Sequence, residues 1–142
     1  MLNNTANVHN LKVGDEWPVL RKKPIDEVQL VRYAGASGDF NPLHYVESLA
    51  QKAGFNKLIA QGMLVMGFVG QAVSGWIPNK FLRRLRVRFV NVTYLGDTIS
   101  VVGKIIEMRE EGQEVVVTSE VKAIDQNGEE KITGLFEAVL LK

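Results

Sequence analysis

The sequence has no cysteine among its 142 residues. Disulfides, thiolate catalysis and cysteine-ligated zinc or iron–sulfur centres are therefore excluded within the chain. A reducing cytoplasm is the setting this suits, and a cytoplasmic protein is expected. Excess charge of one sign is also missing, with 17 Lys+Arg against 16 Asp+Glu and a formal net charge of +1. Nothing in that balance calls for nucleic acid, because there is no overall basic excess to neutralise phosphates. Long apolar runs are lacking too: the longest, Gly62 to Gly70, stops at Gln71. A membrane-crossing helix needs about 20 such residues, so no membrane partner is expected. Met1 to Leu11 holds neither a basic nor an apolar block, and no secretory signal is expected. No repeat, low-complexity tract or linker interrupts the chain, which predicts one domain over 1–142. Hydrophobic residues at 46 % and charged ones at 23 % are enough to rule out a wholly disordered chain.

Two halves differ in periodicity. In the first, Asp26 is placed to N-cap a helix over about Glu27 to Ala36, ended in the neighbourhood of Gly35 to Gly38. Ser37-Gly38-Asp39-Phe40-Asn41-Pro42 follows as a polar turn, in which Pro42 pushes Asn41 out of the helical region. A short helix over about Val46 to Ala53 should end at Gly54. A longer one opens at Gly62 and is apolar nearly all round, so burial on most sides is predicted.

The second half alternates with period two. Leu85, Val87 and Phe89 interleave with Arg84, Arg86 and Arg88. A turn at Leu95-Gly96-Asp97 leads to a strand from Thr98 to about Met108. Glu111-Gly112 turns into a third strand, Glu114 to Ile124, and Asp125-Gln126-Asn127-Gly128 into a fourth ending near Leu141. Short connections imply antiparallel pairing of successive strands. The predicted fold class is α+β, an antiparallel sheet curled around one apolar helix.

Chemistry has few places to reside. Of the two histidines, His9 lies in a polar stretch with no carboxylate near it in sequence and is expected to be an ordinary surface residue. His44 follows Asp39 by five positions, with Asn41-Pro42 between them. A turned segment around Pro42 can bring a carboxylate and an imidazole to one pocket mouth, where the two can share a water molecule. The competing reading is a helix-connecting turn, with Asp39 capping and Pro42 terminating. No Walker motif, dinucleotide-binding glycine fingerprint or metal-ligand set is present, so neither a metal nor a cofactor is expected.

The segment Tyr33-Ala34-Gly35-Ala36-Ser37-Gly38-Asp39-Phe40-Asn41-Pro42-Leu43-His44 resembles the signature of the MaoC-like, R-specific enoyl-CoA hydratases. The resemblance continues through Ala53-Gly54-Phe55, Ile59-Ala60-Gln61-Gly62-Met63, Val87-Arg88-Phe89 and Leu95-Gly96-Asp97-Thr98. It implies a hot-dog fold, a long helix wrapped by a curved antiparallel sheet. It also implies a hydro-lyase that hydrates trans-2-enoyl thioesters to (3R)-3-hydroxyacyl thioesters, or runs the reverse dehydration. By that resemblance Asp39 and His44 are the catalytic pair, while Asn41, Pro42 and Met63 support the loop and the substrate. The N–H of Gly62 would stabilise the thioester oxygen as negative charge develops there. A glycine used only for a tight turn into the helix is the other reading.

Two positions depart from the family pattern. Gln61 stands where histidine is frequent, and Gly70 where some members place a serine. Gly67 and Gly70 either leave room for an acyl tail or permit close approach of sheet to helix. Lys80, Arg83, Arg84, Arg86 and Arg88 form the one basic cluster noted in the sequence. Arg84, Arg86 and Arg88 would either contact coenzyme A or an acyl carrier protein, or form a solvated strand face. An acyl-CoA or acyl-carrier-protein thioester is the expected substrate and a homodimer the expected assembly, with a non-catalytic or catalytic subunit of a heteromeric 3-hydroxyacyl dehydratase as the alternative. A hot-dog thioesterase is the rival activity; it would normally use an acidic residue on the long helix, and Met63 to Trp76 contains none.

Overall fold

A computed structural model describes residues 10–142, so the expectation for His9 lies outside the described residues. The elements are β1 (Leu20–Arg21), α1 (Glu27–Ser37), α2 (Glu47–Lys52), α3 (Gly62–Trp76), β2 (Leu82–Phe89), β3 (Ser100–Glu111), β4 (Glu114–Ile124) and β5 (Glu130–Leu141), with single 3-10 turns at Pro42–His44 and Asn79–Phe81. All strand pairs are antiparallel, in the order β1-β3-β4-β5-β2. This is the hot-dog architecture, with α3 packed against the sheet.

Local chemistry accounts for the boundaries. Asp26 caps α1 by accepting from the Gln29 N–H at 2.7 Å. Gly38 closes it in the left-handed conformation at φ 74°, its N–H donating to Ala34 O at 2.9 Å. On α3, Leu64, Val65, Phe68, Val69, Ala72 and Val73 are buried against the sheet, while Met63, Gly67, Gln71 and Ser74 are exposed. The helix is thus buried along one face rather than on most sides. Its all-round hydropathy arose partly from glycines, which contribute no side chain to bury. A Cβ built on Gly67 or Gly70 would meet nothing within 4 Å, which removes close sheet approach as their reason.

Gly103 is the glycine where sheet and helix do meet closely. A Cβ there would lie 2.7 Å from Trp76 Cζ3 and 3.1 Å from Trp17 Cδ1. The two tryptophans stack with centroids 5.9 Å apart, and Phe136 lies about as near to each, at 6.1 and 6.0 Å.

The hairpins β3–β4 and β4–β5 form at the anticipated turns. The pairing anticipated between the first arginine-bearing strand and its successor does not: β2 pairs with β5, on the other side of the sheet from β3. The physical reason lies between them. Ala60 N–H donates to Thr93 O at 2.8 Å and Leu95 N–H to Leu58 O at 2.9 Å, with an isolated bridge between Ile59 and Tyr94. Backbone groups that a tight β2–β3 hairpin would have used are occupied by residues 58–60 instead.

Candidate active site

The turn after α1 braces itself. Asp39 N–H donates to Ser37 Oγ at 3.1 Å, Asn41 N–H to Asp39 Oδ1 at 3.2 Å, and Leu43 N–H to Asn41 Oδ1 at 3.2 Å. Pro42 opens the 3-10 turn, where its fixed φ and missing N–H cost nothing. Tyr45 O–H closes the turn onto Phe40 O at 2.6 Å. One Asp39 oxygen is therefore committed to the backbone, and the other, Oδ2, lies 3.5 Å from His44 Nε2.

His44 is buried, its residue 7 % exposed. Its Nδ1 is 2.7 Å from Ile59 O. A carbonyl can only accept, so Nδ1 carries a proton, and when the ring holds that proton alone Nε2 presents a lone pair. Asp39 Oδ2 and His44 Nε2 are then two acceptors facing each other, too far apart for a direct hydrogen bond. A water or hydroxyl placed between them can donate to either.

Gly62, the first residue of α3, borders the same cavity of about 370 Å³ as His44, together with Val65, Phe89, Val92 and Ile132. Leu64 N–H donates back to Gln61 O at 3.0 Å, and no partner is found for the Gly62 N–H among the described residues. The first turn of α3, with its unpaired donor and positive dipole end, therefore borders an otherwise largely apolar cavity. A side chain at Gly62 would crowd Phe89, its Cβ falling 3.2 Å from Phe89 Cε1. Gln61, 1 % exposed, turns away from the cavity chemistry: its Nε2 donates to Leu30 O of α1 at 3.0 Å, and its Oε1 has no partner. It ties the helix that leads to Asp39 to the helix that starts at Gly62.

The remaining sequence candidates separate. Asn41 and Pro42 sit in the braced turn as expected. Met63 is 59 % exposed on the open face of α3 and does not border the cavity. Arg84, Arg86 and Arg88 are exposed along β2 and do not border it either, while Arg83 lies 3.7 Å from both Glu111 and Glu114. A second basic group also exists, contrary to the reading of one cluster: Arg21, Lys22, Lys23 and Arg32 line a cleft of about 440 Å³ between β1 and α1. The adjacent Arg21-Lys22-Lys23 triplet was a visible signal for it.

Two contributors escaped the sequence reading. Ile59 acts through its carbonyl, which leaves no mark on residue type. Lys131 is 3 % exposed and lines the cavity wall. Its Nζ donates to Val92 O at 3.0 Å and lies 3.3 Å from Asp125 Oδ2, 3.3 Å from Glu129 Oε1 and 4.0 Å from Asp97 Oδ2. Burial alone would lower its pKa. Its bonds to Asp125 and Glu129, with the charges of Asp125 and Asp97, outweigh burial and hold it above its ordinary value. Burial likewise pushes the Asp125 carboxyl up, but the backbone N–H donors of Glu129 and Asn127, then Lys131, bring it below its ordinary value. Asp97 Oδ2 accepts from Tyr94 N–H at 2.8 Å. The knot thus holds the segment of residues 92–97, which in turn holds Ile59 and Ala60 beside His44.

The family model described as "MaoC like domain" matches residues 10–127. An Arabidopsis thaliana protein named 3-hydroxyacyl-[acyl-carrier-protein] dehydratase, mitochondrial, is 32 % identical over 120 residues, covering 84 % of this chain and 70 % of that one. The (R)-specific enoyl-CoA hydratase of Rhodospirillum rubrum is 32 % identical over 80 residues, covering 55 % of this chain and 56 % of that one. The unliganded R-hydratase PhaJ1 of Pseudomonas aeruginosa superposes with a TM-score of 0.78 at 25 % identity, over 94 % of this chain and 83 % of that one. Braced turn, facing acceptors and open helix end lie on a chain that belongs to the MaoC-like family, and it is a hydro-lyase of the hot-dog fold.

Proposed function

We propose that the chain, acting as one MaoC-like unit, adds water to trans-2-enoyl thioesters to give (3R)-3-hydroxyacyl thioesters, and catalyses the reverse dehydration. The observation that carries this reading is the 3.5 Å separation of Asp39 Oδ2 and His44 Nε2, with Nδ1 fixed on Ile59 O. A water held between the two acceptors surrenders a proton to the pair as its oxygen bonds to Cβ. The C=C electrons move toward the thioester oxygen, where the Gly62 N–H receives the developing charge. The pair then returns one proton to Cα, so protons balance. Because Asp39 and His44 lie beside each other and act on one water, water and proton reach the same face of the double bond, and addition is syn. Asn41 and Pro42 hold the turn.

The acyl portion occupies the apolar cavity beside Val65 and Ile132, and the thioester is carried by coenzyme A or an acyl carrier protein. The absence of cysteine supports a reducing cytoplasm as its setting; among the described residues no helix is long and apolar enough to cross a membrane. Hydration of crotonyl-CoA, followed by loss of enoyl absorbance with the product's stereochemistry determined, tests the reading. Asp39→Asn and His44→Gln should each lower kcat by about 100-fold or more while circular dichroism stays unchanged. Near wild-type hydration by both variants, or an S product, would sink the assignment. Release of free coenzyme A from saturated acyl-CoA would point to hydrolysis instead.

A further inference from the structure

Residues 59–62 divide their loyalties. Ile59 O receives the His44 Nδ1–H at 2.7 Å, Ala60 N–H donates to Thr93 O at 2.8 Å, and Gly62 opens α3. These three border the cavity, whereas Gln61 does not. Its side chain runs the other way, 1 % exposed, and its Nε2 donates to Leu30 O at 3.0 Å. Leu30 is itself fully buried on α1. Among the described residues, no other hydrogen bond joins α1 to residues 59–64.

The orientation of this amide is fixed by its partner. A carbonyl can only accept, so the NH2 end must face Leu30 and the oxygen must point away. Gln61 Oε1 is then buried with no donor. A buried acceptor left unpaired costs free energy that an apolar side chain of similar volume would not. Space-filling therefore does not account for a glutamine here. Helix capping does not either, since the side chain makes no cap bond to α3. What the amide supplies is one N–H aimed at one carbonyl of the neighbouring helix.

That bond spans the two halves of the site. α1 ends at Ser37 and leads into the Asp39 turn, which Ser37 Oγ helps to brace. Gln61 leads directly into Gly62. The Asp39–His44 pair and the Gly62 N–H thus sit on separate elements, and a reacting thioester must meet both at once. A misplacement of about 1 Å costs roughly 100-fold in rate. We infer, resting on the reaction proposed above, that Gln61 is a positioning residue. Through Leu30 O it sets how far the Asp39–His44 pair stands from the Gly62 N–H, and it touches no substrate itself.

Two variants test the bond. Gln61→Met removes it, and Gln61→Glu makes it titratable. A protonated carboxyl repeats the amide, its O–H donating to Leu30 O; an ionised one has no donor and sets a negative charge against a carbonyl. Fully buried glutamates ionise near about pH 8–9. Hydration kcat and KM for crotonyl-CoA are therefore measured from about pH 6 to about pH 10, with circular dichroism at each point. Asp39 and His44 are present in all three proteins, so their own titration is taken out by the ratio to wild type. Relative to wild type, the kcat of Gln61→Glu should fall by about 10- to 100-fold from the acid to the alkaline end and recover when the pH is returned. That of Gln61→Met should be about 10- to 100-fold low throughout. KM should stay within about 3-fold in both, and circular dichroism should match wild type.

Wild-type kcat in Gln61→Met, or in Gln61→Glu across the whole range, overturns the inference while the reaction stands. So does a loss of circular dichroism that tracks the loss of kcat, since the bond would then hold the fold rather than the site. A loss confined to KM overturns it as well. Should Gln61→Met not fold, the pH series of Gln61→Glu decides alone. A wild type that hydrates no enoyl thioester overturns the reaction, and the inference with it.

Discussion

Replacing Lys131 with methionine tests the buried ionic knot behind the cavity. Methionine nearly matches lysine in volume, so the perturbation is electrical rather than a cavity. The Nζ has three N–H donors and three acceptors near it, Val92 O, Asp125 Oδ2 and Glu129 Oε1. Its loss leaves Asp125, 7 % exposed, without its cation and the Val92 carbonyl without a donor. Breaking a buried pair on one side costs about 3–5 kcal/mol, a large share of the ~5–15 kcal/mol that holds a domain together. Urea unfolding should show that loss, and the melting temperature should fall by roughly 6–20 °C. Adding Asp125→Asn to the variant should restore about half or more of the loss. The uncompensated charge is gone, yet an amide oxygen still accepts the N–H groups of Asn127 and Glu129, 2.8 and 2.9 Å from the native carboxylate. The pH dependence follows from the directions of the two shifts. Lys131, raised above 10.5, contributes fully below that value and loses its contribution as pH rises through its raised pKa. Asp125, lowered below 3.8, contributes above that value and loses its contribution as pH falls through its lowered pKa. Across about pH 5 to 9 the wild-type contribution is constant. The deficit of Lys131→Met should narrow on acidification, because the unpaired Asp125 then takes up a proton. A loss under about 1 kcal/mol, or further destabilisation on adding Asp125→Asn, would refute the reasoning that the charges are buried and mutually dependent.

Two other substitutions probe close packing. Gly103→Ala drives a methyl to 2.7 Å from Trp76 Cζ3, and should cost about 1–3 kcal/mol by overpacking; an unchanged urea midpoint would mean the tryptophan stack yields freely. Gly62→Ala meets only the Phe89 ring, at 3.2 Å, and that residue is 51 % exposed and free to swing. Stability should therefore change by under about 1 kcal/mol, while hydration kcat/KM falls roughly 10-fold as the cavity mouth narrows. Recovery of activity in Gly62→Ala, Phe89→Ala would identify crowding as the cause, and full activity in the single variant would contradict it.

Legibility in the sequence depended on whether a feature is written in local pattern. The cap at Asp26, the end of α1 in the neighbourhood of Gly35 to Gly38, the β3–β4 and β4–β5 hairpins and the opening of α3 at Gly62 all follow from neighbours within a few residues, and the sequence predicts them. Asp39 and His44 share one short turn, so their spacing permits a pair, but only the resemblance of the segment from Tyr33 to His44 singles it out from a plain helix-connecting turn. β1, only two residues long, has no period to detect. The partnership of β2 with β5 is hidden because Thr93 and Leu95 spend backbone hydrogen bonds on Ala60 and Leu58, a contact no local pattern encodes. Asp97 and Asp125 read as turn residues and Lys131 as one more residue of the last strand, since burial of a charge becomes visible only when its distant partners converge. The role of Ile59 could not have been read at all, because any residue would supply the same carbonyl.

The stack of Trp17 and Trp76 has a practical consequence for following this protein in solution. The chain contains two tryptophans, and they share one cluster at the C-terminal end of α3. Gly62 and His44 lie at the other end, about 21 Å away along the 15-residue helix. Intrinsic fluorescence will therefore report the melting of the sheet–helix core as a single signal and remain nearly silent when a thioester enters the cavity. Occupancy is better followed from the substrate's own chromophore, or from a tryptophan introduced at Phe89.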